Sequence, residues 1–482
     1  MTVIGDRPNV ARAWAEFAVE TRFDDLPADA VHRMKRSLLD CLGVGIIGSQ
    51  APSSRAVLSW LREQGGTEEA TVLPGGFRTT ASNAAYAFGT YVHATELAES
   101  FTRATMHAGN AVPPAALAVA EKAGASGREL LAALVVGYEI SIRSGLSVRV
   151  HPDSPTFAAK DETRTSIIPL FHPVPTFGVY GATAAAGRLL GLTVDEMKHA
   201  LTMSTAMTPA VGLIRSFMDG GLVKDLYQGF SNSTAVTYAE MAAHGVTGPA
   251  DVHDHYTVLV EDYEPSLLLR NLGSEYLVSS GGLHFKLHQT AGMTQSAADA
   301  MLDALEGQPA IRPEDVAEIV VETNHRGTRP MMTDPDPRTG VAAKVSVPYV
   351  TAAVLAYHDE LADDPYFLDL YTDDKVDDAP RRALSQRVRI VGSDDLERGF
   401  EQEWPMRFGS NVEIRLRGGR SLHGTAEIWS VSANLPDEKV VEKFAHLTRR
   451  VLPSADVEAA SAAVFGLDGD GTVADVVRLL TA

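Results

Sequence analysis

From the N-terminus to about residue 278, segment after segment repeats one pattern. Apolar residues fall three and four apart, small residues lie between them, and glycine or proline marks each break. "ADAVHRMKRSLLDCLGVGIIGS" runs in this rhythm into a glycine, and "SSRAVLSWLREQG" is amphipathic with a glycine stop. "SNAAYAFGTYVHATELAES", "PPAALAVAEKAGAS", "GRELLAALVVGYEISIRSG", "GVYGATAAAGRLLGL", "TVDEMKHALTMSTAM" and "NSTAVTYAEMAAHG" continue it. Such a chain must pack helix on helix, and its Ala and Gly content predicts helices that approach backbone to backbone.

Near residue 280 the period changes. "VAEIVVETN", "QRVRIVGS" and "NVEIRLRGGRSLHGTAEIW" alternate like strands, with Gly418–Gly419 placed as a hairpin turn. Helical segments such as "TQSAADAMLDALEG" and "SVPYVTAAVLAYHD" lie between them, and "LPDEKVVEKFAHLTRRVL" returns to helix. A chain of 482 residues exceeds what one ordinary core holds. The expected fold is mainly α: a helical domain over residues 1–278, a smaller α+β lid domain over 279–430, and C-terminal helices over 431–482 that pack back on the first domain.

The formal net charge of −20 comes from acids spread along the chain, with no basic run. That argues against nucleic acid or an anionic membrane as partner, and it makes local clusters of Lys and His more informative. No segment has the roughly 18 consecutive apolar residues of a membrane span. A lone cysteine, Cys41 in an apolar run, excludes an internal disulfide, and the acidic N-terminal stretch does not read as a signal peptide, so a cytoplasmic location is expected. HExxH, paired CxxC, Walker and GxSxG motifs are absent from the sequence, and no metal is expected. Gly178, Gly181 and Gly187 lack a preceding strand and read as packing glycines. His253 and His255 in "VHDHY" fall short of a metal site without a third ligand.

Chemistry concentrates beside abrupt turns. "YVHATELAESFTRATMHAGN" gathers His93, Glu96, Glu99, Ser100, Arg103 and His107 in an otherwise alanine-rich neighbourhood. Read as a continuing helix, it places His93, Glu96 or Leu97, and Ser100 on one face with Glu99 adjacent. The competing reading is a solvated polar face. His107 precedes the helix start at Pro113–Pro114, and His172 precedes one at Pro175–Thr176, where free N–H groups favour anions. Lys224 follows a diglycine, and Lys286 and His288 precede "AGMTQSAADAM".

The joint order of "NAAYAFGTYVHATELAES", "HAGNAVPPAALAVAE", "FHPVPTFGVYGATAAAGRLLGL", "KDLYQGFSNSTAVTYAEMAAHGVTGPADV" and "VSVPYVTAAVL" resembles the MmgE/PrpD family from about residue 10 to residue 450. The resemblance implies a helical first domain, an α+β lid, a homodimer, and cofactor-free chemistry on a small carboxylate in the interdomain cleft. It places catalytic functions on His107, His172, Lys224 and Tyr349, and substrate contacts on Lys286. His93, Glu96, Glu99, Ser100 and His288 join the expected substrate-binding set.

The family's Asp-Phe-Asp-Asp-Thr run reads "ELAES" here, and its lid arginine and histidine fall on Gly292 and Gln295. The implied reaction forms a carbanion beside a carboxylate, with a base, an acid and cations to hold charge. Elimination of water from a hydroxy acid is the leading expectation. Epimerisation, decarboxylation and inactive ligand binding are the alternatives. The lost anchors predict a mono- or dicarboxylate rather than a tricarboxylate.

Overall fold

The computed structural model describes residues 3–4, 7–104, 106–148, 173–206, 216, 220–253, 255–256, 263–403, 407–427, 435–453 and 456–481. Its first helices are α1 (Val10–Glu20), α2 (Ala28–Gly48), α3 (Pro52–Gln64), α4 (Ala81–Ala94), α5 (Pro113–Ala123) and α6 (Gly127–Ser147). Then come α7 (Pro173–Leu189), α8 (Val194–Met203), α9 (Val223–Ala243) and α10 (Gly292–Leu305). Strand β1 (Val316–Thr323), helix α11 (Val347–Ala356), and strands β2 (Val388–Gly392), β3 (Gly409–Leu416) and β4 (Ser421–Glu427) follow. Helices α12 (Asp437–Arg449), α13 (Val457–Phe465) and α14 (Val473–Leu479) close the chain. The architecture is mainly α, as the helical periodicity predicts.

Local sequence starts these helices. Ser126 and Glu129 form a reciprocal capping box on α6, and Thr193 and Glu196 do the same on α8, each satisfying two otherwise orphaned N–H groups. Thr80 caps α4 by accepting from the Asn83 N–H.

The described residues divide into two compact units, one drawn from 1–214, 225–283 and 436–482, the other from 215–224 and 284–435. In the first unit small residues set the packing distance. A Cβ at Gly181 would lie 2.1 Å from the Gly137 carbonyl oxygen, so α6 and α7 cross with their backbones in contact. A Cβ at Gly48 would lie 1.9 Å from the Tyr91 carbonyl oxygen, which sets the approach of α2 to α4. Helix α6 is long and apolar enough to cross a membrane, but 94% of that window is buried in this unit, as befits a core helix. Helix α12 packs on α2, where Gly43 meets Phe444.

The second unit is built on a four-stranded sheet of order β4–β3–β1–β2. Strands β3 and β4 form an antiparallel hairpin around Gly419, whose φ of 85° needs no Cβ. β3 also pairs antiparallel with β1, and β2 lies parallel to β1. Ile319, Val321, Val412 and Ile414 are buried, as are Ala297, Ala300, Met301 and Ala304 of α10. Gly424 of β4 lets α10 cross closely, since a Cβ there would sit 2.0 Å from the Ala300 carbonyl oxygen.

One core acid makes the first unit's stability depend on pH. Glu139 of α6 is buried, and burial pushes its carboxyl up to about 7 against the pull of Arg143, 3.1 Å away. Between the unfolded value near 4.5 and 7, the unfolded chain ionises while the fold still holds the proton. Stability is therefore lost as pH rises through that window. Glu139→Gln should remove this slope. The stability difference between variant and wild type should shift in the variant's favour by about 3 kcal/mol between pH 4.5 and 7, read by urea denaturation. Parallel pH profiles would rule Glu139 out as the source.

Candidate active site

Helix α4 ends at Ala94, earlier than its sequence suggests. The expected helical face through Ser100 is therefore not formed: Thr95 closes the helix, Glu96 turns left-handed with φ 57°, and Ser100–Phe101 is extended. A non-glycine residue at such a φ costs about 1–2 kcal/mol and persists only where surrounding contacts fix it. Those contacts are polar and buried. The Glu99 carboxylate accepts from Ser37 Oγ at 2.8 Å, from Tyr138 Oη at 2.6 Å and from Arg33 Nη2 at 3.3 Å. Burial raises the Glu99 carboxyl above the ordinary carboxylate range, and Arg33 opposes that rise.

His93, near the C-terminus of α4, is 2% exposed and packs on the Tyr227 ring at 4.2 Å. The Asn110 amide donates to His93 Nδ1 at 2.9 Å, which leaves the ring proton on Nε2. That nitrogen faces Glu96 Oε1 at 3.9 Å. Asn110 is held in turn: its backbone oxygen accepts from Asn232 Nδ2 at 3.0 Å, while Asn232 Oδ1 accepts from the Ala115 N–H. Burial, then the Glu96 charge, raises the Tyr227 hydroxyl far above its usual value, so that ring stays neutral. The result is a chain running from Asn232 through Asn110 and His93 to the Glu96 carboxylate.

His107 is half-buried and stands at the N-cap of a one-turn helix, Ala108–Ala111, whose amides at Asn110 and Ala111 bond back to the His107 carbonyl. Ser100 is buried, with its hydroxyl 3.4 Å from the Met106 carbonyl oxygen. The structure thus brings His93 and Glu96 together and sets Glu99 in an internal network of its own. His172 lies outside the described residues; the helix after it begins at Pro173, before the predicted Pro175. His253 and His255 each bond a tyrosine, Tyr263 at 3.2 Å and Tyr180 at 2.6 Å. No cluster of three or more metal-ligating side chains occurs among the described residues.

In the second unit Lys224 is 1% exposed, at the start of α9 and just after Gly220, whose φ is 69°. Lys286 is equally buried and donates to the Thr290 carbonyl at 3.3 Å. Gln295 pins the turn between Lys286 and α10, accepting from the His288 N–H at 3.2 Å and donating to the His288 and Thr290 carbonyls at 2.6 and 3.0 Å. Both ring nitrogens of His288 are engaged, by the Pro365 carbonyl and Asp299, and the ring stacks on Phe367 at 4.0 Å. Tyr349 is fully buried, donates to the Leu370 carbonyl at 2.6 Å and lies beneath the Arg381 guanidinium at 4.3 Å. Gly292, the first residue of α10, opens on empty space: a Cβ there would meet nothing within 4 Å.

Sequence reasoning overlooked Asn110, Asn232, Tyr227, and Arg33, Ser37 and Asp40. The last three had a legible signal. They stand four and three apart on α2 and so share one face of that helix, where all three are buried.

Residues 12–261 match the MmgE/PrpD N-terminal domain, and residues 288–467 match the MmgE/PrpD C-terminal domain. A cis-aconitate decarboxylase-like protein of Aspergillus oryzae, oryM, is 24% identical over 511 residues, covering 100% of this chain and 99% of the relative. The cis-aconitate decarboxylase of Aspergillus terreus is 24% identical over 492 residues, covering 95% of this chain and 93% of its own. The human cis-aconitate decarboxylase is 24% identical over 302 residues, covering 60% of this chain and 59% of its own.

Proposed function

The chain belongs to the MmgE/PrpD family, and from that premise we propose that it is a decarboxylating lyase acting on a small unsaturated dicarboxylate. The observation that carries this reading is the Glu96 carboxylate, held in a left-handed turn and facing the Nε2 of a histidine whose tautomer Asn110 fixes. A strained, buried acid beside an oriented imidazole is costly to fold and suits proton transfer. Relatives that span the whole chain carry the decarboxylase name, which favours loss of carbon dioxide over loss of water.

In this reaction one carboxylate sits on the saturated carbon beside the double bond. Its carbon–carbon bond breaks, the freed pair forms a new double bond to the adjacent carbon, and the pair of the old double bond moves to the far carbon. Carbon dioxide leaves, and one proton is delivered to the far carbon. His107 is the proton donor in this reading, since its unperturbed pKa lies near neutrality. Glu96 orients the exchange, and His93 positions Glu96. Lys224 and Lys286 are buried ammonium groups suited to a carboxylate. Glu99 and Ser100 serve the fold of the first unit, His288 and Tyr349 that of the second.

Elimination of water remains a second reading, because a carboxylate facing an imidazole also suits proton abstraction. The two separate in one experiment. The chain is incubated in deuterated water with cis-glutaconate, cis-aconitate, malate, 2-methylmalate and 2-methylcitrate. Carbon dioxide release and deuterium incorporation are followed together. Carbon dioxide with one deuterium per product supports decarboxylation. Loss of water from a hydroxy acid without carbon dioxide supports elimination. Exchange with neither replaces both by epimerisation, and no exchange at all leaves a ligand-binding protein.

A further inference from the structure

The turn that carries Glu96 is held from far along the chain. Lys443 of α12 is 2% exposed and its ammonium lies 2.6 Å from Asp40 Oδ1 on α2, with Asp40 at 1%. The same ammonium donates to the Leu97 carbonyl at 3.2 Å. Burial raises the Asp40 carboxyl above its ordinary range, and Lys443 opposes that rise. One buried ion pair therefore holds the turn at the Leu97 carbonyl, one residue after Glu96. Ser37 and Arg33, on the same face of α2, grip the Glu99 side chain.

We propose that the Asp40–Lys443 pair is a positioning device: by holding the backbone at the Leu97 carbonyl it forces Glu96 into its left-handed conformation and aims its carboxylate at His93. A pair serving only to join α2 and α12 has no need of the Leu97 carbonyl, and two charges buried for stability alone are poor value against apolar side chains of similar volume. A glutamate stays in the left-handed region only where surrounding contacts hold it, and the Lys443 bond to the Leu97 carbonyl is such a contact on the next residue. The proposal rests on the reading of Glu96 as part of the active site for its effect on rate, but its structural content stands apart from that reading.

The test compares two double variants of the full chain. Asp40→Asn with Lys443→Met removes the donor to Leu97 and leaves no unpaired charge. Asp40→Asn with Lys443→Gln also removes the charges but keeps an amide donor for Leu97. Histidine-selective ¹⁵N labelling reads the His93 ring in the absence of ligand, with His93→Gln used to assign its signals.

The methionine variant is expected to displace the His93 resonances, while the glutamine variant returns them toward wild type. With cis-glutaconate, kcat should fall at least tenfold in the methionine variant with KM within threefold, and the glutamine variant should recover most of the loss. Unmoved His93 resonances together with kcat within twofold of wild type, in a folded methionine variant, overturn the proposal. So does equal loss in both double variants, which marks a merely structural pair.

Should the methionine variant not fold, Lys443→Arg keeps the charge but displaces the donor, and unmoved His93 resonances there are equally fatal. If the wild type turns over none of the carboxylates named above, the lyase reading fails. The ring resonances still decide whether the pair aims Glu96.

Discussion

Glu96→Gln is expected to lower kcat by about 10²–10⁴ while leaving the melting temperature within a few degrees of wild type. The substitution keeps the length and hydrogen-bonding shape of the side chain and removes only its charge, so the left-handed turn at φ 57° survives. What is lost is the negative charge facing His93 Nε2 at 3.9 Å. Buried at this position, that charge has little water to screen it, so its removal acts on the transition state with little attenuation. His107→Ala should cost a similar factor, since it removes the proposed proton donor from a half-buried turn that contributes little packing. The check is kcat and KM for each variant alongside thermal unfolding. A Glu96→Gln enzyme within threefold of wild type would remove Glu96 from the reaction and with it the central claim about this turn.

Substrate charge should matter as strongly. Wild type is expected to use cis-aconitate and 2-methylcitrate at least about 100-fold less efficiently, in kcat/KM, than cis-glutaconate. A third carboxylate left unpaired in a desolvated site costs several kcal/mol, and each 1.4 kcal/mol is about a factor of ten. The second unit offers Lys286 and Lys224, but where the family pattern has arginine this chain has Gly292, with open space around it. Gln295, at the family's histidine, spends its amide on the His288–Thr290 turn.

The same observation supplies a gain-of-function test. Gly292 has no positive φ, so arginine fits its backbone, and Gly292→Arg should narrow the tricarboxylate deficit about tenfold. Relatives named for cis-aconitate make the comparison demanding. Efficient turnover of cis-aconitate by the unaltered chain would refute the charge argument, and the glycine would then carry no meaning for specificity.

Much of the fold is local and could be read directly. Apolar spacing defined the helices of the first unit, and glycines between apolar positions foretold close crossings such as Gly181 on Gly137. Period-two alternation located the strands on either side of Gly419, because side chains on a strand must face opposite ways. The family pattern also pointed to the segment from His93 to His107. These are properties of short windows, and a short window is what periodicity measures.

The sequence by itself therefore determined the helices, the strands, the change of texture near residue 280 and the neighbourhood in which polar residues collect. Only the tertiary structure decided what those polar residues do. Helix α4 stops at Ala94, and beyond it the Leu97 carbonyl accepts from Lys443, which meets Asp40 across 403 residues of chain. Glu99, in the same acidic run as Glu96, went to an internal network because Arg33, Ser37 and Tyr138 happen to converge on it. Glu96 went to His93 because Asn110, itself held by Asn232, turned the imidazole that way. A buried charge must find its counterpart wherever packing delivers one, and that partner is set by the meeting of distant helices, which no local pattern of apolar and polar residues encodes.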